Sequence, residues 1–180
     1  ARAAVQAGAD GILLTTWRWA LKDVISEEEY KAFGKPFDLA VIEAANQEGA
    51  TFNILHICRD NILFDLLTDY PVQVISFDAF LPKNPTLKEA KARTAKALWG
   101  GINHTQTLLH GPLESIEGEV KAALEITGGR RFMLGPGCAI PRQVPESHLQ
   151  AVKKFIARWG LPSNGSGCEN SPCNTGVNPD

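Results

Sequence analysis

The chain has 180 residues, 44% of them hydrophobic and 21% charged, with a formal net charge of -2. This is the composition of a globular protein with one sizeable core, and the near-neutral charge leaves no footprint for nucleic acid or an anionic membrane surface. No apolar run approaches the roughly 20 residues of a membrane span, and no basic-then-apolar signal peptide opens the sequence.

In chain order, "ARAAVQAGADG" reads as the tail of a helix running into a strand, so the sequence is expected to begin inside a larger domain. "GILLTT" (11–16) is the first strand, with Thr15 and Thr16 expected to start a turn. Next comes "SEEEYKAFGKPFDLAVIEAANQEG", in which Ser26 and Glu29 form a capping box. Pro36 is expected to split this stretch into a short helix and a longer one near 37–47. "TFNILHIC" (51–58) and "VQVISFD" (72–78) follow as strands.

"NPTLKEAKARTAKA" predicts a helix capped by Asn84, with Pro85 at its first position. "ALWGGIN" (97–103) is the fourth strand, and "ESIEGEVKAALEITGG" is a helix closed by a glycine pair. "RFMLGPGC" (131–138) is the fifth strand. The last helix, "ESHLQAVKKFIARWG", places Leu149, Val152, Phe155, Ile156 and Trp159 on one stripe and ends at Gly160. Residues 161–180, rich in Gly, Ser, Asn and Pro, read as a tail unable to bury a core.

The strands are near-continuous apolar runs, as expected of strands covered on both faces, and they alternate with helices. That order predicts an α/β fold with a parallel sheet and right-handed crossovers. No G-x-G-x-x-G follows the first strand, which argues against a dinucleotide-binding doubly wound sheet. A whole (β/α)8 TIM barrel needs about 250 residues. Five units therefore predict the C-terminal portion of such a barrel over residues 1–160, the missing strands coming from the rest of the chain or another subunit.

In such folds chemistry gathers at the carboxyl ends of the strands. Those ends read Thr15-Thr16-Trp17, His56-Ile57-Cys58, Asp78, Asn103-His104 and Gly137-Cys138. Asp78, Asn103 and His104 suit loop bracing as well as a site. His56 and Cys58, two residues apart on a strand, share a face and can grip one object. With Cys138 they make a three-ligand set suited to zinc with one position open. The alternative is a buried, hydrogen-bonded histidine beside two inert thiols. Four cysteines (Cys58, Cys138, Cys168 and Cys173) in this length fit a reduced, cytoplasmic protein better than a disulfide scaffold, and a clip between Cys168 and Cys173 is the lesser reading.

"GADGILL", "FNILHIC", "DYPVQVISFD", "ALWGGIN" and above all "GGRRFMLGPGCAIPRQVPESHLQAV" resemble the C-terminal half of the uroporphyrinogen decarboxylase superfamily. The resemblance implies a (β/α)8 barrel and one of two chemistries. One is cofactor-free decarboxylation of uroporphyrinogen III in porphyrin biosynthesis. The other is zinc-dependent methyl transfer from a corrinoid to a thiol such as coenzyme M, the zinc held by His-x-Cys and a later Cys. His56, Cys58 and Cys138 match the second pattern.

In the decarboxylase branch the last strand typically ends Leu-Gly-His-Gly, and Pro136 stands at the histidine position. A glycine commonly follows His-x-Cys in the methyltransferases, where this chain has Arg59. The expected activity is thus zinc-dependent methyl transfer, with Asp78 and His104 orienting ligands or substrate and Arg59 and Asn103 near the bound molecule. Expected partners are a small thiol or a porphyrinogen and a corrinoid protein, with neither nucleic acid nor membrane. A non-catalytic remnant is the reading from another class.

Overall fold

The computed structural model describes residues 1–159. The expected tail, with Cys168 and Cys173, and the closing Gly160 lie outside the described residues. A short helix, α1 (Arg2–Gln6), leads into strand β1 (Leu13–Trp17), then α2 (Glu27–Phe33) and α3 (Lys35–Gln47). Strand β2 (Ile54–Ile57) and the single turn α4 (Phe64–Leu67) precede β3 (Val74–Phe77) and α5 (Leu87–Arg93). Strand β4 (Ala97–Ile102), the turn α6 (Thr107–His110), α7 (Leu113–Thr127), β5 (Phe132–Pro136) and α8 (Glu146–Trp159) complete the order.

Local chemistry explains most boundaries. The Ser26 hydroxyl accepts from the Glu29 N–H while the Glu29 carboxylate accepts from the Ser26 N–H, which starts α2. The break before α3 falls at Gly34, and Pro36 sits in the first turn of α3, where a missing N–H costs nothing. Gly34 is required by crowding, since a Cβ there would lie 2.7 Å from the Tyr30 ring. Helix α5 begins two residues later than expected: Thr86, with Glu89, forms the capping box. Asn84 is instead buried, its amide taken by tertiary partners. Helix α7 ends at Gly128 in the left-handed conformation, φ 61. The stripe on α8 is narrower than expected: Ala151 and Phe155 are buried, while Leu149 and Trp159 are each 39% exposed.

The five strands form one sheet in the order β1-β2-β3-β4-β5, every pair parallel. Each crossover adds its strand beside the last, with no reversal of direction across the sheet. That is the progression of a barrel wall rather than of a doubly wound sheet. One face carries Leu14, Leu55, Ile57, Ile75, Phe77 and Leu98, which pack with Tyr30, Ile42, Leu67, Leu87 and Ala90 into the main core. The opposite face, bearing Leu13, His56, Ser76, Trp99 and Met133, is the concave side, where Leu13 remains 51% and Met133 36% exposed. Among the described residues no helix is long and apolar enough to cross a membrane.

Candidate metal and substrate site

Strand β2 delivers two of the metal-ligand candidates. Ile57 points into the helix-covered core and is fully buried, so His56 and Cys58 on either side of it project to the concave face. Strand β5 delivers the third. The run Gly135-Pro136-Gly137 lets the backbone approach its neighbours: a Cβ on Gly135 would lie 2.1 Å from Trp99 Nε1, and one on Gly137 would lie 2.6 Å from Asp78 Cα. Only glycine permits that closeness, and Cys138 follows at once. The ligand atoms of His56, Cys58 and Cys138 all lie within 4.8 Å of one another, each residue half-buried.

That spacing suits a metal. Zinc bonds of about 2.0–2.3 Å at tetrahedral angles put donor atoms about 3.5–3.8 Å apart, which a small side-chain adjustment reaches from here. The donor chemistry fits as well. Burial, and then the neighbouring His104, lower the His56 pKa, which favours the neutral, lone-pair-bearing imidazole. His56 Nδ1 lies 3.1 Å from the buried Ser76 hydroxyl. In the tautomer that donates from Nδ1, Nε2 is the free ligand atom.

Burial raises the Cys58 thiol pKa, the Thr15 hydroxyl at 3.7 Å lowers it, and the facing Cys138 raises it further. A thiol held protonated by burial and a facing sulfur is the arrangement that a cation relieves.

Around the triad, Trp17, Cys58, Arg59, Asp78, His104 and Cys138 line a cavity of about 570 Å³. A smaller apolar space of about 300 Å³ lies along the concave face, lined by Leu13, His56, Ser76, Trp99, Pro136 and Cys138 among others. Asp78 and His104 are nearly buried, at 4% and 6% exposure, with Oδ2 and Nδ1 3.7 Å apart. Asp78 Oδ1 accepts the Phe80 N–H, and His104 Nδ1 has no hydrogen-bond partner among the described residues.

Asn103, expected near the bound molecule, is turned to the loop: its side-chain oxygen accepts from the Thr105 N–H, the Thr105 hydroxyl and the Gln106 N–H. Thr15 and Thr16 belong to β1 rather than to a turn; Thr15 accepts the Trp17 N–H, and Thr16 is buried.

The rim is stitched together. The loops after β1 and β2 pair through an antiparallel Leu21–Ile62 bridge, with Lys22 N–H donating to Asn61 O and Leu63 N–H to Ala20 O. Asn84 donates to the Arg59 and Asp78 carbonyls and accepts from the Ile62 N–H, joining the loop after β2 to the loop after β3. Arg59 is held at φ 74, a left-handed conformation that costs a residue with a Cβ roughly 1–2 kcal/mol.

The family model described as uroporphyrinogen decarboxylase (URO-D) matches residues 1–159. The chain belongs to the uroporphyrinogen decarboxylase family. Among its relatives is a methylcobamide:CoM methyltransferase, MtaA, of Methanosarcina barkeri (strain Fusaro), 30% identical over 158 residues, or 87% of this chain and 43% of the relative. A second MtaA of Methanosarcina barkeri is 28% identical over 153 residues, or 84% and 42% of the two chains. A solved methyltransferase from Methanosarcina mazei superposes with a TM-score of 0.69 at 25% identity, covering 88% of this chain and 44% of the other. The chain thus spans less than half the length of these uroporphyrinogen decarboxylase family relatives.

Reading by residue type passed over Ser76 beside His56 and Asn84 behind Arg59 in this candidate site, and it took Thr15, which stands beside Cys58, for the start of a turn. For Ser76 a clue was present, because it lies two residues before Asp78 and so shares its face. For the other two, only tertiary contact reveals the role.

Proposed function

We propose that the protein carries the substrate-activating half of a zinc-dependent methyl transfer from a corrinoid to a thiol. The observation that carries this reading is the convergence of His56, Cys58 and Cys138, from two strand ends 80 residues apart in sequence, within 4.8 Å. The naming of its relatives as methylcobamide:CoM methyltransferases supports it. His56, Cys58 and Cys138 would hold the metal, leaving one position for a substrate sulfur. Zinc bound there would supply Lewis acidity, lowering the thiol pKa so that a thiolate exists at neutral pH.

The surrounding side chains serve that arrangement. Ser76 holds the His56 ring, Thr15 braces Cys58, and Asp78 and His104 wall the cavity in which the sulfur and the methyl group meet. The sulfur gains the S–CH3 bond, its proton leaves to solvent, and the electron pair of the broken methyl bond stays with the donor. A methylated corrinoid on a partner protein is the donor in this reading. Porphyrinogen decarboxylation, the other chemistry of the family, is less well supported, because Pro136 on β5 offers no donor.

The test is metal analysis of the reduced, full-length protein. About one zinc per chain, lost on Cys58→Ser and on Cys138→Ser, supports the reading. A metal-free protein, or zinc retained by both variants, overturns it.

A further inference from the structure

Arg59 has a backbone and a setting that bracing of the loop does not account for. It is exposed, it lines the same cavity as Cys58 and Cys138, and its φ of 74 is one that a glycine adopts without cost. Trp17, at the end of the adjacent strand, lines that cavity from a second left-handed position, φ 46. Strained backbone of this kind gathers where side chains must be aimed at a ligand. Asn84, which is 8% exposed, donates to the Arg59 carbonyl at 2.8 Å and holds the backbone from which that side chain springs.

The acidic groups of the cavity are already engaged. Asp23 accepts from the Asn61 amide at 2.7 Å and pairs with Lys83 at 3.3 Å. Asp60 accepts the N–H groups of Asn61 and Lys83 at 3.0 and 2.9 Å. Asp78 accepts the Phe80 N–H at 3.0 Å. Among the described residues none of these carboxylates pairs with Arg59, whose guanidinium therefore keeps its five donors for something else. Lys83 offsets Asp23, and backbone N–H groups hold Asp60 and Asp78 in place.

We infer that Arg59 is a specificity-determining residue: its guanidinium grips the carboxylate or sulfonate of a small thiol. The sulfur of that thiol lies toward Cys58 and Cys138, and its short apolar linker lies against Trp17 and Leu81. The inference rests on the proposed thiol chemistry for the sulfur end alone. The anion end follows from Arg59, its clamp and the cavity. A guanidinium fork on an oxyanion commonly contributes about 10–100-fold in binding.

The experiment uses the full-length protein with Arg59→Gln and Arg59→Gly, the second relieving the backbone and so guarding against a folding defect. Two measurements are made: calorimetric binding of ethanesulfonate and of propionate, and the kcat/KM ratio of an anionic thiol over 2-mercaptoethanol. The wild type is expected to bind at least one anion, and both variants are expected to bind it at least tenfold more weakly. Binding of sulfonate alone or carboxylate alone supports the inference and names the group.

The kcat/KM ratio should fall about tenfold or more in both variants. Undiminished anion binding in Arg59→Gly, no anion binding by the wild type, or a ratio held within twofold overturns the inference. Neither anion probe contains a thiol, so the titration answers for Arg59 even if metal analysis defeats the zinc reading.

Discussion

Ser76 and His56 occupy paired positions of adjacent parallel strands, and the hydroxyl stands 3.1 Å from the imidazole Nδ1. A partner of this kind fixes the ring and its tautomer, and loss of one typically weakens metal binding about 10–100-fold. Ser76→Ala is therefore expected to lower zinc affinity by that factor with little change in the unfolding midpoint. Competition with a chromophoric chelator measures the first, and denaturant titration of the metal-free protein the second. Unchanged affinity would mean that the hydroxyl is incidental.

Gly137 is the hinge on which Cys138 depends. A methyl group there would meet the Asp78 Cα at 2.6 Å and Cγ at 2.7 Å, and backbone at that distance has no way to yield cheaply. Gly137→Ala should destabilise the fold by about 1–3 kcal/mol and displace Cys138. Thermal unfolding combined with zinc content reads both effects. A variant of normal stability and full zinc content would refute the steric argument.

Asn84→Ala removes a side chain that satisfies one N–H and two carbonyls at the rim. Leaving buried backbone groups without partners costs about 1–3 kcal/mol each at sites that water cannot reach. The expected outcome is a loss of about 2–4 kcal/mol overall, measured by urea titration, together with faster amide exchange at Ile62 than at the core residue Leu55. A loss below about 1 kcal/mol would show that water replaces the amide.

Burial, partly countered by hydrogen bonds from Thr107 and the Asn103 N–H, raises the Glu119 carboxyl above its usual pKa of 4.5. The folded chain then holds more protons at this site than the unfolded chain, so its contribution to stability declines as pH rises from about 4.5 through the raised folded value. Glu119→Gln keeps an acceptor for the Asn103 N–H and removes the ionisation. The variant should gain on the wild type as pH increases across that window, after which the difference between them should stay constant. Urea midpoints measured from pH 4 to 8 give the comparison, and a pH-independent difference would remove the ionisation from the account.

Much of this was legible in the sequence because the features are local. Near-continuous apolar runs marked all five strands, and the two-residue spacing of His56 and Cys58 put both on one face. What stayed hidden depends on contacts across the fold. The pairing of His56 with Ser76 needs the β2–β3 register, and that of Thr15 with Cys58 needs β1–β2. Asn84 and Thr86 are both good helix caps, and the choice between them was made by unsatisfied backbone groups on other segments. Four-residue α4 and α6 are too short to display a helical period. Asn103 sat at a strand end like the site residues, yet its oxygen is consumed by its own turn.

Cys138 lines both the larger cavity shared with Cys58 and the smaller space along the concave face, whereas Cys58 borders only the first of these two. The two thiols are therefore reachable by different routes. In the metal-free protein an apolar alkylating reagent is expected to reach Cys138 from the Trp99 side, where Cys58 is not part of the lining. Chemical footprinting should then distinguish two sulfurs that sit side by side, with Cys138 labelled first.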